Sequence, residues 1–298
     1  MTARTRAAYF GCCLLWGSTW SMIKLGLRDL PPFFFAGTRM MLAALLLLPF
    51  ALRAGLRRQT REGLGWIACV GLLQIGIPYA LLFAGQQWVP SGLAAVLFAT
   101  FPVWLVLVAS VLLHDEPLTP RKLLAALLGI AGVVLLQLPA LRGQALSHLA
   151  ALGGGLVLLA SVVIALANVL VRKKLGPYPP VVIAFVQVFA GALLLVALSM
   201  GLEHGRPANF TPLSAFALIY LAVFGTAVTY LFLFWLIPRV PMAAIGAIPL
   251  LDTTVAVILG SLVLGEHLGW SLLVGGALVL GGAALANQAP AEPAPESA

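Results

Sequence analysis

Charges, prolines and glycines cut this chain into ten nearly unbroken apolar runs, and that feature leaves few folds open. Stretches such as Leu42–Leu48 and Val255–Leu264 contain no charged side chain at all. A helix needs about 20 such residues to cross the hydrocarbon of a bilayer. Of the 298 residues, 62% are hydrophobic and only 9% charged, against roughly 25% charged in soluble domains. A water-soluble chain of this length could not bury so much apolar side chain, because single cores stop growing near about 250–300 residues. The bilayer must serve as solvent. Backbone groups there can be satisfied only within helices or a closed barrel. Barrel strands alternate apolar and polar residues; these runs do not, so the chain is read as an all-α integral membrane protein.

The spans are expected at about 7–27, 33–52, 64–86, 91–113, 121–139, 150–171, 179–200, 212–236, 240–264 and 269–287. The first is read as a retained helix and not a cleaved signal, because its apolar stretch continues without a small-residue cleavage site. Residues 288–298, rich in Pro and Ala, are expected to be a disordered tail. A net charge of +8 could suggest nucleic acid. The basic residues sit instead in short clusters between apolar runs, as in cytoplasmic membrane loops, so no nucleic-acid partner is expected.

Those clusters also orient the chain. With the N-terminus inside, one side carries Arg4, Arg6, Arg53, Arg57, Arg58, Arg61, Arg121, Lys122, Arg172, Lys173, Lys174 and Arg239. The other carries only Lys24, Arg28, Arg142 and Arg206, with Arg39 inside a span. Both termini are therefore expected in the cytoplasm.

The chain also repeats itself. Leu30-Pro31-Pro32 precedes span 2 and Tyr178-Pro179-Pro180 precedes span 7; Glu116-Pro117-Leu118 follows span 4 and Glu266-His267-Leu268 follows span 9. Five spans per half is an odd number, so the second half is expected to be inverted in the membrane. Residues 1–139 would form the first repeat and 150–287 the second. Inverted repeats are common in secondary transporters, whose sites lie near the bilayer midplane.

Polar groups inside spans are costly and therefore informative. Asp252 lies mid-span in span 9, where it could carry a proton, balance a substrate amine or bond to Thr253 and Thr254. Arg39 could hold a carboxylate through its forked guanidinium, or snorkel or pair structurally. Its repeat equivalent is Gln187. Trp16, Ser18, Thr19 and Trp20 could line a cavity for amphipathic molecules or pack helices through Gly17 and Ser18. Gln74, Asn168 and Gln187 could orient a zwitterion or bond across helices. Tyr79 and Tyr230 are near-equivalents that could line opposite ends of a pathway. Pro102 and Pro249 would each kink a helix by removing a backbone bond and could serve as hinges.

Catalytic and metal motifs are not found. His114, His148, His204 and His267 fall at span ends or in loops, with no HExxH, CxxC or Gly-x-Ser-x-Gly pattern. Cys12, Cys13 and Cys69 lie in apolar stretches without ligand spacing. No cofactor or metal is expected, and a membrane enzyme fits poorly.

The motifs Trp16-Gly17-Ser18-Thr19-Trp20, Ile23-Lys24-Leu25-Gly26 and Ala36-Gly37-Thr38-Arg39 resemble the first helices of the drug/metabolite transporter superfamily, in its EamA-domain branch. Ser91-Gly92-Leu93-Ala94-Ala95-Val96-Leu97, Phe101-Pro102 and Glu116-Pro117-Leu118 resemble the end of that domain, echoed by Leu250-Leu251-Asp252 and Gly265-Glu266. Many relatives carry Glu-Pro where this chain has Asp252-Thr253. The resemblance implies ten helices in two inverted halves around a central cavity, without a bound cofactor. It implies an inner-membrane exporter of small amphipathic metabolites working by alternating access; a monomer is expected, with oligomeric state left open by the sequence. Amino acids are the leading class, as in the YddG-type aromatic amino-acid exporters. A facilitative channel, or a carrier of drugs or sugars, is the alternative.

Overall fold

The computed structural model describes residues 2–86, 88–89, 97–141, 148–264 and 270–287; of Trp20 and Thr253 it describes only the backbone. Among these residues it contains ten helical spans and no strand. They are α1 (Ala3–Gly26), α2 (Pro32–Arg53), α3 (Arg61–Gly71, continued by Leu72–Gly76 and Ile77–Gln86), α4 (Phe101–Leu112) and α5 (Pro120–Leu141). The second half holds α6 (His148–Lys174), α7 (Pro180–Leu202), α8 (Pro212–Ala222, continued by Val223–Val228 and Thr229–Leu236), α9 (Met242–Leu264) and α10 (Trp270–Asn287). Five of them, α2, α3, α6, α7 and α8, are long and apolar enough to cross a membrane by length and composition. The Ser91–Val96 motif, the Gly265 to Leu268 motif and the tail lie outside the described residues.

Local chemistry sets the helix starts. Pro32, Pro180 and Pro212 stand in first turns, where a missing N–H costs nothing and φ is already helical. Thr60 and Thr211 cap α3 and α8, the latter in a reciprocal pair with Ser214. Gly55 after α2 and Gly205 after α7 adopt φ of 91° and 81°, a left-handed geometry that glycine takes without steric cost. Their spacing of about 150 positions matches that of the Pro-Pro pairs.

Packing repeats with the same spacing. The helices α2 and α7 form one extensive pair and α5 and α10 another; α1 lies on α8 and α9, as α6 lies on α3 and α4; α3 meets α7 as α8 meets α2. Exchanging the first five helices for the last five maps these pairs onto one another. Glycines bring the axes close. A Cβ on Gly71 would stand 2.5 Å from the Gln187 Cα, and one on Gly17 would stand 2.9 Å from the Asp252 carbonyl oxygen.

Two features differ from expectation. Pro102 lies in the first turn of α4 and not in a helix interior. Leu97 and Phe98 before it are helical as well, with a turn at Ala99 and Thr100 between, so the span is interrupted just ahead of the proline; Pro249 does sit inside α9. The irregular turns are elsewhere. Leu72–Gly76 in α3 and Val223–Val228 in α8 are wound as π-helix, at matching places in the two halves. In α3, Pro78 has no N–H to offer the Gln74 carbonyl and its ring crowds that oxygen; a wider turn relieves both. In α8 no proline follows the turn. The Thr229 hydroxyl instead donates to the Phe224 carbonyl five residues back.

Candidate functional site

The centre of the bundle gathers polar and aromatic side chains from five helices. Trp16 on α1 donates its indole N–H to the Gly225 carbonyl at 3.3 Å. Its ring meets Tyr230 of α8 edge-on, with centroids 5.8 Å apart. Tyr230 is buried and lies within electrostatic reach of Tyr79, Arg39 and Cys12. Arg39 on α2 is only 4% exposed, and its guanidinium lies over the Tyr79 ring, 5.2 Å from the centroid. That arrangement steadies a cation through the ring quadrupole. Asp252 on α9 is also buried and acts electrostatically on Cys12 and Cys13. Arg39 and Asp252 are thus both buried in this central region, Arg39 against Tyr79 and Asp252 on the side of Cys12 and Cys13.

Several atoms here meet no donor or acceptor. Among the described residues, Arg39 Nε, Gln74 Oε1, both amide atoms of Gln187, Asn168 Oδ1 and Thr226 Oγ1 are buried without a hydrogen-bond partner. Leaving one such group unpaired costs about 1–3 kcal/mol. Part of this placement follows the duplication. Gln74 and Thr226 each sit in a π-turn, and Arg39 and Gln187 occupy equivalent positions on α2 and α7. π-turns often occur at functional sites.

Other expected residues go elsewhere. Ser18 shares a 2.7 Å hydrogen bond with the Tyr220 hydroxyl, on the seam between α1 and α8. Thr19 donates to the Trp16 carbonyl and packs on Gly225. Both serve helix packing. Asn168 turns its amide back onto the Ile164 carbonyl of its own helix. Thr226 is a buried polar residue that the sequence reading missed. Nothing in its local sequence marks it, since the π-turn around it lacks a proline.

A second polar cluster, at the end of the bundle where α4, α6 and α8 finish, was legible only as a motif. Glu116, with a side chain 5% exposed, accepts hydrogen bonds from Lys122 at 2.6 Å, from Arg172 at 2.8 Å and from the Met242 backbone N–H at 2.9 Å. One carboxylate thus ties the α4–α5 loop to the end of α6 and the start of α9. It also complements the positive end of the α9 dipole. Arg172 binds Asp115 at 2.6 Å as well. Partial burial disfavours the Asp115 carboxylate, but the hydrogen bond and charge of Arg172 outweigh it and hold its carboxyl below the ordinary range. At the opposite end Glu203 accepts from the N–H groups of Phe33 and Phe34 at 2.8 and 2.7 Å, capping α2.

Comparisons with known proteins agree with this architecture. A solved crystal structure superposes with a TM-score of 0.82 at 19% identity, covering 96% of this chain and 97% of its own; it speaks for the fold alone. YedA of Escherichia coli, described as an uncharacterized inner membrane transporter, is 30% identical over 266 residues, covering 88% of this chain and 83% of its own length. The uncharacterized transporter YvbV of Bacillus subtilis is 27% identical over 274 residues, with 92% and 88% covered. PagO of Salmonella typhimurium is 29% identical over 220 residues, with 71% and 69% covered. The model of the EamA-like transporter family matches twice in succession, at residues 7–138 and 151–288. With two copies filling nearly its whole length, the chain belongs to the EamA-like transporter family.

Proposed function

We propose that the protein is a secondary transporter of the inner membrane that exports small amphipathic metabolites, amino acids first among them, by alternating access between two inverted halves. One observation carries the reading. In a bundle built almost wholly of apolar side chains, buried hydrogen-bonding atoms without protein partners occur in both halves, among them Arg39 Nε and the Gln187 amide at equivalent positions of α2 and α7. A polar substrate or water entering between the halves would satisfy them. Arg39 would take a carboxylate, Asp252 would face an ammonium, and the rings of Trp16, Tyr79 and Tyr230 would hold an apolar side chain. The resemblance to YddG-type exporters puts aromatic amino acids at the head of the panel.

Flux of amino acids in proteoliposomes, measured with and without a proton gradient, tests this. At least one should move faster than in empty vesicles and saturate with concentration. Non-saturating flux would indicate a channel, and a null result across all twenty would send the substrate to another class. A charge at mid-membrane costs about 2.5–3.5 kcal/mol, so Asp252 is kept for a reason. Asp252→Asn retains the size and removes the charge. We expect it to lower the rate and flatten its pH dependence; unchanged rate and pH profile would make Asp252 structural.

The orientation is tested separately. A reporter active only in the periplasm, fused after Ala298, should stay silent, because twelve of the basic residues favour the cytoplasmic side.

A further inference from the structure

A groove at one end of the bundle is built for an anion, and nothing in the transport reading uses it. It has a volume of about 550 Å³ and is lined by Thr2, Arg4, Thr5, Trp235 and Arg239. It lies between the start of α1 and the end of α8. Its chemistry is one-sided. Two arginines and two hydroxyls face it, and none of the five lining residues is an acid. Neither arginine is in a salt bridge among the described residues.

One of the two arginines is held in place. The Arg239 guanidinium stacks on the Trp235 ring, 4.3 Å from the centroid, and donates one N–H to the Trp235 carbonyl at 2.7 Å. A fork already fixed in direction loses less freedom on binding a phosphate, and its remaining N–H groups can bind in a bidentate manner. The Thr2 hydroxyl caps α1 through the Thr5 N–H at 3.2 Å, so the positive end of a helix dipole points to the same place. Trp235 itself is half-buried, and indoles favour the interface between headgroups and hydrocarbon. The groove also lies beside the basic end of the bundle, since Arg172 donates to the carbonyl of Val240, next to Arg239.

We propose that this groove binds the phosphodiester headgroup of an anionic phospholipid, with Arg4 and Arg239 on the phosphate and Trp235 against the glycerol and upper acyl chain. On the orientation proposed above, this is the cytoplasmic leaflet, where anionic lipid draws juxtamembrane arginines. The site does not depend on which metabolite is carried.

The test is native mass spectrometry of the full-length protein released from vesicles of phosphatidylglycerol and phosphatidylcholine in equal amounts. The wild type should retain phosphatidylglycerol over phosphatidylcholine on the order of tenfold. The R4Q/R239Q double variant should lose that preference. R57Q/R58Q, with the same charge removed elsewhere on the surface, should keep it. Retention in R4Q/R239Q equal to wild type would falsify the site. So would equal loss in both double variants, which would mean that general surface charge attracts the lipid. Millimolar inorganic phosphate serves as a further arm: the retained lipid should survive it, whereas complete displacement would mean a free-anion site and no lipid recognition. Melting temperatures in lipid-free detergent should match for all three proteins; a folding defect in R4Q/R239Q would shift the test to the single variants R4Q and R239Q, read in the same way. A reporter fusion that reversed the topology would move the site to the other leaflet without removing it, so the two readings fail separately.

Discussion

Replacing Arg39 with Gln should cut transport of carboxylate-bearing substrates about 10- to 100-fold at sub-saturating concentration. A hydrogen bond to a charged group contributes about 1.5–3 kcal/mol, and each 1.4 kcal/mol is about tenfold in affinity. The change should spare the fold for a reason internal to the protein: glutamine is what the second half carries at the equivalent position, as Gln187, fully buried on α7. Arg39 makes no salt bridge among the described residues, and its guanidinium lies over the ring of Tyr79. Arg39→Lys keeps a charge over that ring but loses the planar fork, so an intermediate loss is expected. The control is a substrate amine without a carboxylate, whose flux should be far less affected. If Arg39→Gln transports amino acids as the wild type does, the arginine is structural, and the carboxylate must be recognised elsewhere, with Gln74 and Gln187 next in line.

Removing the Glu116 carboxylate should produce the largest loss of stability of any single substitution at the ends of the bundle. Glu116→Ala takes their shared carboxylate from Lys122 and Arg172, whose side chains are only 13% and 19% exposed. Lys122 keeps the Pro117 carbonyl and Arg172 keeps Asp115 and the Val240 carbonyl, but the Met242 N–H loses its acceptor. Removing one partner of a buried ion pair costs about 3–5 kcal/mol. The slight exposure of these partners puts the loss near the lower end, on the order of 10 °C in melting temperature. Glu116→Gln should recover part of it, because an amide oxygen can still accept from Met242. A double-mutant cycle with Arg172→Ala should show a coupling of at least about 1 kcal/mol. Additive effects would mean that the carboxylate acts mainly on the α9 terminus. Asp115 should contribute little at neutral pH, because it is mostly exposed and its interaction is screened. What it adds is present above its unfolded pKa and fades only as the pH falls through its lowered folded value.

Much of this protein was legible in its residues. The ten spans, the helix starts at Pro32 and Pro180 and the duplication follow from local chemistry: bilayer thickness sets the length of an apolar run, and proline acts within one turn of itself. The pairing of Arg39 with Gln187 and the near-equivalence of Tyr79 and Tyr230 were readable for the same reason, since a repeat is a property of the sequence. Which side chains meet was not. Ser18 and Thr19 carry the polarity expected of a cavity wall, yet the close approach of α1 to α8 at Gly225 turns them into packing contacts. Pro102 reads as a helix-interior residue, whereas the structure places it in a first turn, just after a break in its span. Thr226 and its π-turn leave no local trace, whereas the matching turn around Gln74 is announced by Pro78. Glu116 is visible as a motif, but its work depends on the ends of α6 and α9, 56 and 126 positions away. Hydrophobic length and backbone chemistry are local quantities that sequence order preserves. The partner of a buried polar atom is set by how helices distant in sequence pack together, and only the tertiary structure decides that.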